Sequence, residues 1–273
     1  MNYDPKTFIH PQDAKALKAL EAIPGLKTLL SAYMKMYDER MWRGLLMSSC
    51  IRLNEQQLPD LYSLFTEVFQ ELQMEPEVRP ECYLQMNPMP NAYTVGNTRT
   101  CIVLHSGIVQ LLTRQELKAV IAHECGHILC RHMLYHTLAR NIAQFGLNFM
   151  GLEILVKPVV WSLFYWDRCS EFSADRVAAY AMGSADVVSD TMIRLSGGPV
   201  EITGKVNVEE YYRQVEELKD WIKIDKYQAL LQLKMNLYND HPFTAIRSGE
   251  VREWYNNPAT LLPARPQSED LSF

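Results

Sequence analysis

The sequence predicts an α+β fold, predominantly α-helical, with a small sheet of about three strands beside one helix. Three observations predict it. Apolar residues recur at three- and four-residue intervals through most of the chain, the period of a helix with one buried face. From about residue 78 this texture gives way to short apolar runs broken by Pro, Asn and Gly, the mark of strands and turns. With 273 residues, 48% hydrophobic and 22% charged, the chain can bury a sizeable core.

The elements follow in order. PQDAKALKALEAIPG reads as a short helix, with Pro11 near its start and Gly25 past its end. LKTLLSAYMKMYDERMWRGLLMSS and EQQLPDLYSLFTEVFQELQM each carry helical spacing. CYLQM, AYTV and TCIVL are the strand candidates, and VGNTRT is a hairpin connection. LTRQE then offers a capping box, with Thr113 facing the third helical amide and Glu116 reaching back. The helix it opens is expected to run to at least His132. The apolar stretch 142–166 is interrupted by Glu153, Lys157 and Pro158, and reads as a buried helical hairpin bent near Pro158. Its alternative is a patch that touches a membrane surface or a partner. Further helices are expected at about 168–182, stopped by Gly183, and at 184–195, 207–222, 225–238 and 243–256. The organisation is an N-terminal helical region over 1–78 packed on a main domain over 79–260, with a frayed tail over 261–273.

Charge and cysteines narrow the function. A net charge of −5 with scattered Lys and Arg carries no footprint for nucleic acid. The six cysteines form no CxxC pair, and the N-terminus has no basic stretch followed by an apolar run. Both features point to free thiols in a reducing compartment, hence a cytoplasmic protein.

The chemistry is concentrated in VIAHECGHILCRH, residues 120–132. A helix turns about 100° per residue, so His123 and His127 lie about 40° apart on one stripe and can bind one ion. Glu124 lies about 100° from His123, within reach of a water held by that ion. This spacing is why HExxH binds zinc and hydrolyses amides. On the same continuous helix Cys125, His132 and His136 point away from the stripe by about 160–220°. They are expected to be core or surface residues. Cys130 lies nearer the stripe and reads as a packed small residue, because a catalytic zinc keeps one position open. Gly126, without a side chain, can let another backbone approach.

A third ligand is on offer downstream. In RCSEFSADRVAAYAMG, Glu171 and Asp175 are four apart on one helical face. Alone, such a pair usually marks a solvated face. Beside HECGH, Glu171 can complete a two-His, one-Glu site, and Asp175 can accept the second ring N–H of a ligand histidine.

HECGH followed by EFSAD, with NAYTVG upstream and DHPFTAIR downstream, resembles the HtpX-like and CAAX-prenyl-endopeptidase family of zinc metallopeptidases, within the gluzincins. All four motifs occur in the family's order between about residues 80 and 250. The resemblance implies a gluzincin-like fold, one Zn²⁺ held by His123, His127 and Glu171, and Glu124 as general base. It implies that Asn91, Ala92 and Tyr93 belong to an active-site edge strand holding a peptide or unfolded-protein substrate. His241 then stabilises the tetrahedral oxyanion, and Arg247 holds its helix against an acidic partner such as Asp175. The chain departs from the integral membrane members, whose transmembrane helices flank the motifs; this favours a soluble or peripheral protein. Two other readings fit the same residues. One is a zinc-stabilised interaction or membrane-surface module without activity. The other is a latent peptidase whose N-terminal helices cover the cleft.

Overall fold

The computed structural model describes residues 1, 3–36, 39–145, 157–224 and 244–265. Helix α1 (Pro11–Glu21) begins on Pro11, and the His10 ring caps it by accepting from the Gln12 amide. Either side of residues 37 and 38, which are not described, lie α2 (Leu26–Met36) and α3 (Glu39–Ser49), followed by α4 (Pro59–Glu71).

Strands β1 (Ile51–Leu53), β2 (Glu81–Gln85), β3 (Ala92–Val95) and β4 (Cys101–His105) form a mixed four-stranded sheet in the order β1-β2-β4-β3. The expected three strands are joined by β1, which is too short to show an alternating pattern. Its antiparallel pairing with β2 is what makes it a strand. β3 and β4 pair antiparallel across the expected hairpin, while β2 and β4 run parallel.

Every residue of β4 is buried, because both faces of the sheet are covered. Ile102 and Leu104 face the main core together with Leu53, Cys82 and Ala92. Cys101 and Val103 face the other way, against Tyr83, Val95 and Leu46 of α3.

After α5 (Ser106–Leu111) comes α6 (Arg114–Leu129), opened by the expected capping box: Thr113 Oγ1 accepts from the Glu116 amide, and Glu116 accepts from the Thr113 amide. All eleven residues from Ala119 to Leu129 are buried, so α6 is the central helix and beyond its first turn and Lys118 has no solvent face. The polar groups it buries therefore need partners.

Among the described residues the remaining helices are α7 (Met133–Phe145), α8 (Lys157–Met182), α9 (Ala185–Gly197), α10 (Val200–Thr203), α11 (Val208–Ile224) and α12 (Thr244–Asn256). Glu116 of α6 pairs with the buried Arg194 of α9, whose Nε and Nη2 lie 3.0 and 2.7 Å from Oε1. A second apolar cluster joins α1 and α2 to α7 and α8, with Leu20, Leu29 and Tyr33 against Leu138, Leu163 and Trp166.

Two expectations change. α6 stops at Leu129 and does not reach His132, because Arg131 adopts a left-handed conformation (φ 61°) and turns the chain. The bend expected near Pro158 adjoins residues 146–156, which are not among the described ones. The helix expected over 168–182 is the C-terminal part of α8, which is described from Lys157 on. It ends where expected, at Gly183 (φ 65°). Residues 146–156, the helix expected over 225–238, His241 and the tail beyond 265 lie outside the described residues. Among the described residues no helix is long and apolar enough to cross a membrane.

Candidate metal centre

α6 and α8 meet closely because of one residue. A Cβ on Gly126 would lie 2.9 Å from the Ala174 Cα and 3.0 Å from its carbonyl oxygen. Both obstacles are backbone, so the helices could not keep this distance around any larger residue. The approach brings the stripe of His123 and His127 onto the face of Glu171 and Asp175.

His123 Nε2 and His127 Nε2 lie 3.1 Å apart. Glu171 offers an oxygen to each, 3.4 Å from His123 Nε2 and 3.3 Å from His127 Nε2. Three electron-rich groups thus converge within 4.8 Å in a buried place, an arrangement that calls for a cation between them. The donor set fits one. Two imidazole nitrogens and a carboxylate are ligands that zinc binds at about 2.0–2.2 Å.

The supporting groups also fit. His123 Nδ1 lies 2.9 Å from Asp175 Oδ1, so with Asp175 as acceptor the proton sits on Nδ1 and the Nε2 lone pair faces the ligand position. Arg247 of α12 spans both carboxylates: Nε donates to Asp175 Oδ2 (2.8 Å), Nη2 to Asp175 Oδ1 (2.6 Å) and Nη1 to Glu171 Oε2 (2.8 Å). Burial would raise the Asp175 carboxyl, but the charge and hydrogen bonds of Arg247 and His123 prevail and hold it below the usual range. Burial also favours a neutral His123, yet Asp175 and Glu171 outweigh it and raise its pKa. His127 follows burial and falls to about 4, against the pull of Glu171. It is thus neutral at pH 7, the form in which an imidazole binds a cation.

Glu124 is buried beside this group, and Thr94 Oγ1 donates to its Oε2 at 2.5 Å. Thr94 was not singled out in the sequence. The alternation of β3 was the available signal, since it puts Ala92 and Thr94 on one face, toward α6.

A cleft of about 660 Å³ opens onto His123 and Glu124. Asn91 and Ala92 line it, with Val120, Val188 and Met192 supplying an apolar wall. The side chain of Tyr93 is engaged elsewhere, with its hydroxyl 3.3 Å from Gln85 Oε1 and its ring under the Arg140 guanidinium at 4.3 Å. Any part Tyr93 has in the cleft falls to its main chain. β3 is the outer strand on its side of the sheet. Cys125 is in the core, as expected, and Cys130 caps the end of α6.

His132 and His136 depart from expectation. The rotational arithmetic assumed one continuous helix, and the turn at Arg131 breaks it. His132 folds back to put its Nδ1 3.1 Å from His127 Nδ1. The His136 ring centroid lies 4.5 Å from that of His127.

Gly126→Val should test the close approach. Its side chain must push α8 away, at a cost of about 1–3 kcal/mol, and the shift also separates Glu171 from the two imidazoles. Denaturant unfolding together with metal analysis reads both effects. A variant with wild-type stability and metal content would show that the two helices tolerate a wider spacing.

Comparison with known proteins identifies the family. The family model described as peptidase family M48 matches residues 55–255. The chain is 29% identical over 255 residues to the plastoglobule-localized metallopeptidase 48, chloroplastic, of Arabidopsis thaliana, covering 92% of this chain and 73% of that protein. It is 25% identical to protease HtpX of Legionella pneumophila (strain Lens), over 64% of this chain and 70% of the relative. A protease HtpX homolog from Moorella thermoacetica is 28% identical over 64% of this chain and 66% of its own. No solved structure matches the chain. The chain belongs to peptidase family M48, as an HtpX-like metallopeptidase.

Proposed function

We propose that the chain is a zinc-dependent endopeptidase acting on peptides or unfolded proteins. The observation that carries this reading is the convergence of His123 Nε2, His127 Nε2 and the Glu171 carboxylate within 4.8 Å, beside Glu124. A two-His, one-Glu set suits a catalytic zinc that keeps one position open. Zinc there would lower the pKa of a coordinated water toward 7 and polarise the scissile carbonyl.

The residues of the chain do the rest. Glu124, held by Thr94, takes a proton from the attacking water and passes it to the leaving amine. Asp175 keeps the His123 proton on Nδ1, and Arg247 offsets the two buried carboxylates. The main chain of Asn91, Ala92 and Tyr93 holds an extended substrate, a contact largely indifferent to side chains. His241, by the family resemblance, stabilises the oxyanion.

The setting is the cytoplasm, with peripheral contact to a lipid surface through residues 142–166. Trp161 and Tyr165, one turn apart on α8 and 43% and 48% exposed, support that contact. So does the plastoglobule localisation in the name of the Arabidopsis relative. Against the latent reading, the cleft lining among the described residues includes no residue from 1–78.

Removal of the metal tests the reading. Treatment with a zinc chelator should abolish cleavage of a quenched peptide, and about one equivalent of Zn²⁺ should restore it. Cleavage that survives in demonstrably zinc-free protein would end the metal mechanism. Stoichiometric zinc without cleavage of any peptide or casein substrate would favour the non-catalytic module.

A further inference from the structure

His127 has a second connection, leading away from the cleft. Its Nδ1 lies 3.1 Å from His132 Nδ1, and His132 Nε2 lies 3.1 Å from Asp13 Oδ2. All three side chains are buried. Asp13 is in the first turn of α1, which packs along α8. Two further donors fix its carboxylate: Trp166 Nε1 on Oδ1 at 2.9 Å and Ser173 Oγ on Oδ2 at 2.6 Å.

The direction of this chain follows from elementary chemistry. A histidine that ligates through Nε2 carries its proton on Nδ1. His127 Nδ1–H therefore donates to His132 Nδ1. The neutral His132 then has its proton on Nε2 and donates it as a hydrogen bond to Asp13, which when ionised can only accept. Every donor meets one acceptor. The arrangement supplies for His127 what Asp175 supplies directly for His123.

We propose that Asp13 and His132 are positioning residues for the ligand His127, so that the N-terminal helix α1 takes part in setting the affinity of the metal centre. The inference rests on reading His123, His127 and Glu171 as the metal ligands. Asp13 lies outside the part of the chain that matches the family model, residues 55–255.

His127, His132 and His136 also lie close enough together to suggest a second ion. The partners of His136 argue against it. Its Nε2 lies 2.7 Å from Ser170 Oγ and its Nδ1 3.3 Å from Asp167 Oδ1, so both ring nitrogens already face groups on α8.

The test measures Zn²⁺ affinity of the full chain by competition with a chromophoric chelator at pH 7. Alongside it runs thermal unfolding of the metal-free proteins. His132→Phe, which keeps the ring but removes the acceptor, should weaken zinc binding about ten- to a hundredfold. His132→Gln, whose amide can accept from His127 and donate to Asp13, should lose less. Asp13→Asn should lose about tenfold alone and nothing further in the His132→Phe background.

A purely structural role for Asp13 would lower the unfolding temperature of Asp13→Asn without that coupling. The proposal is overturned if both single variants bind zinc within twofold of wild type. It is equally overturned if the Asp13→Asn loss persists without His132, or if wild type takes up two zinc ions and His132→Phe only one. Absence of zinc from wild type would defeat the ligand assignment itself, which is a separate failure.

Discussion

Glu124→Gln is expected to retain its zinc and lose about two to four orders of magnitude in peptide turnover. The substitution exchanges one carboxylate oxygen for an NH₂ group at nearly constant shape. Its remaining oxygen can still accept from Thr94 Oγ1, which lies 2.5 Å from Oε2 in the native protein. None of the three converging donors is touched, so metal content should stay at about one equivalent. What disappears is a group able to take and return a proton beside the bound substrate. Metal analysis and kcat measured on the same preparation separate the two effects. Turnover within tenfold of wild type would remove Glu124 from the chemistry, and loss of the metal would recast it as a structural residue.

The second large effect is on stability. Arg247→Met should destabilise the metal-free protein by about 3–5 kcal/mol, the cost of leaving buried charge uncompensated. Arg247 is 5% exposed and its guanidinium meets two carboxylates at once, those of Asp175 and Glu171. Removing it leaves the two carboxylates side by side, with only the His123 imidazole beside both of them. Arg247→Lys should recover only part of the loss, because a single ammonium cannot reproduce the fork that grips Asp175 through two nitrogens while reaching Glu171 with a third. Urea denaturation of the metal-free proteins checks both. A loss below about 1 kcal/mol for the methionine variant would mean that water or neighbouring groups already neutralise the pair.

Much of this arrangement is legible along the chain because it is local. The stripe of His123 and His127, the face of Glu171 and Asp175, the Thr113–Glu116 capping box and the stop at Gly183 all follow from helical period and cap chemistry. The alternation of β3 and the hairpin to β4 are of the same kind. Where the reading went astray, a local rule was carried past its range. Rotation at about 100° per residue holds only while the helix lasts, and one left-handed residue, Arg131, resets the phase. His132 then faces His127, where the arithmetic had turned it away. Strand β1 has only three residues, too few to carry a period.

By itself the sequence determined which side chains share a face, which residues begin and end the helices, and which family the motifs resemble. Only the tertiary structure decided that α6 and α8 press together at Gly126, bringing three donors within 4.8 Å. The same is true of Arg247 bridging two carboxylates and of Asp13 reaching His132 across 119 positions. The reason is the range of the forces involved. Periodicity and capping act over a turn or two of backbone, whereas the pairing of buried charges is settled by whichever faces the packing of the core brings into contact.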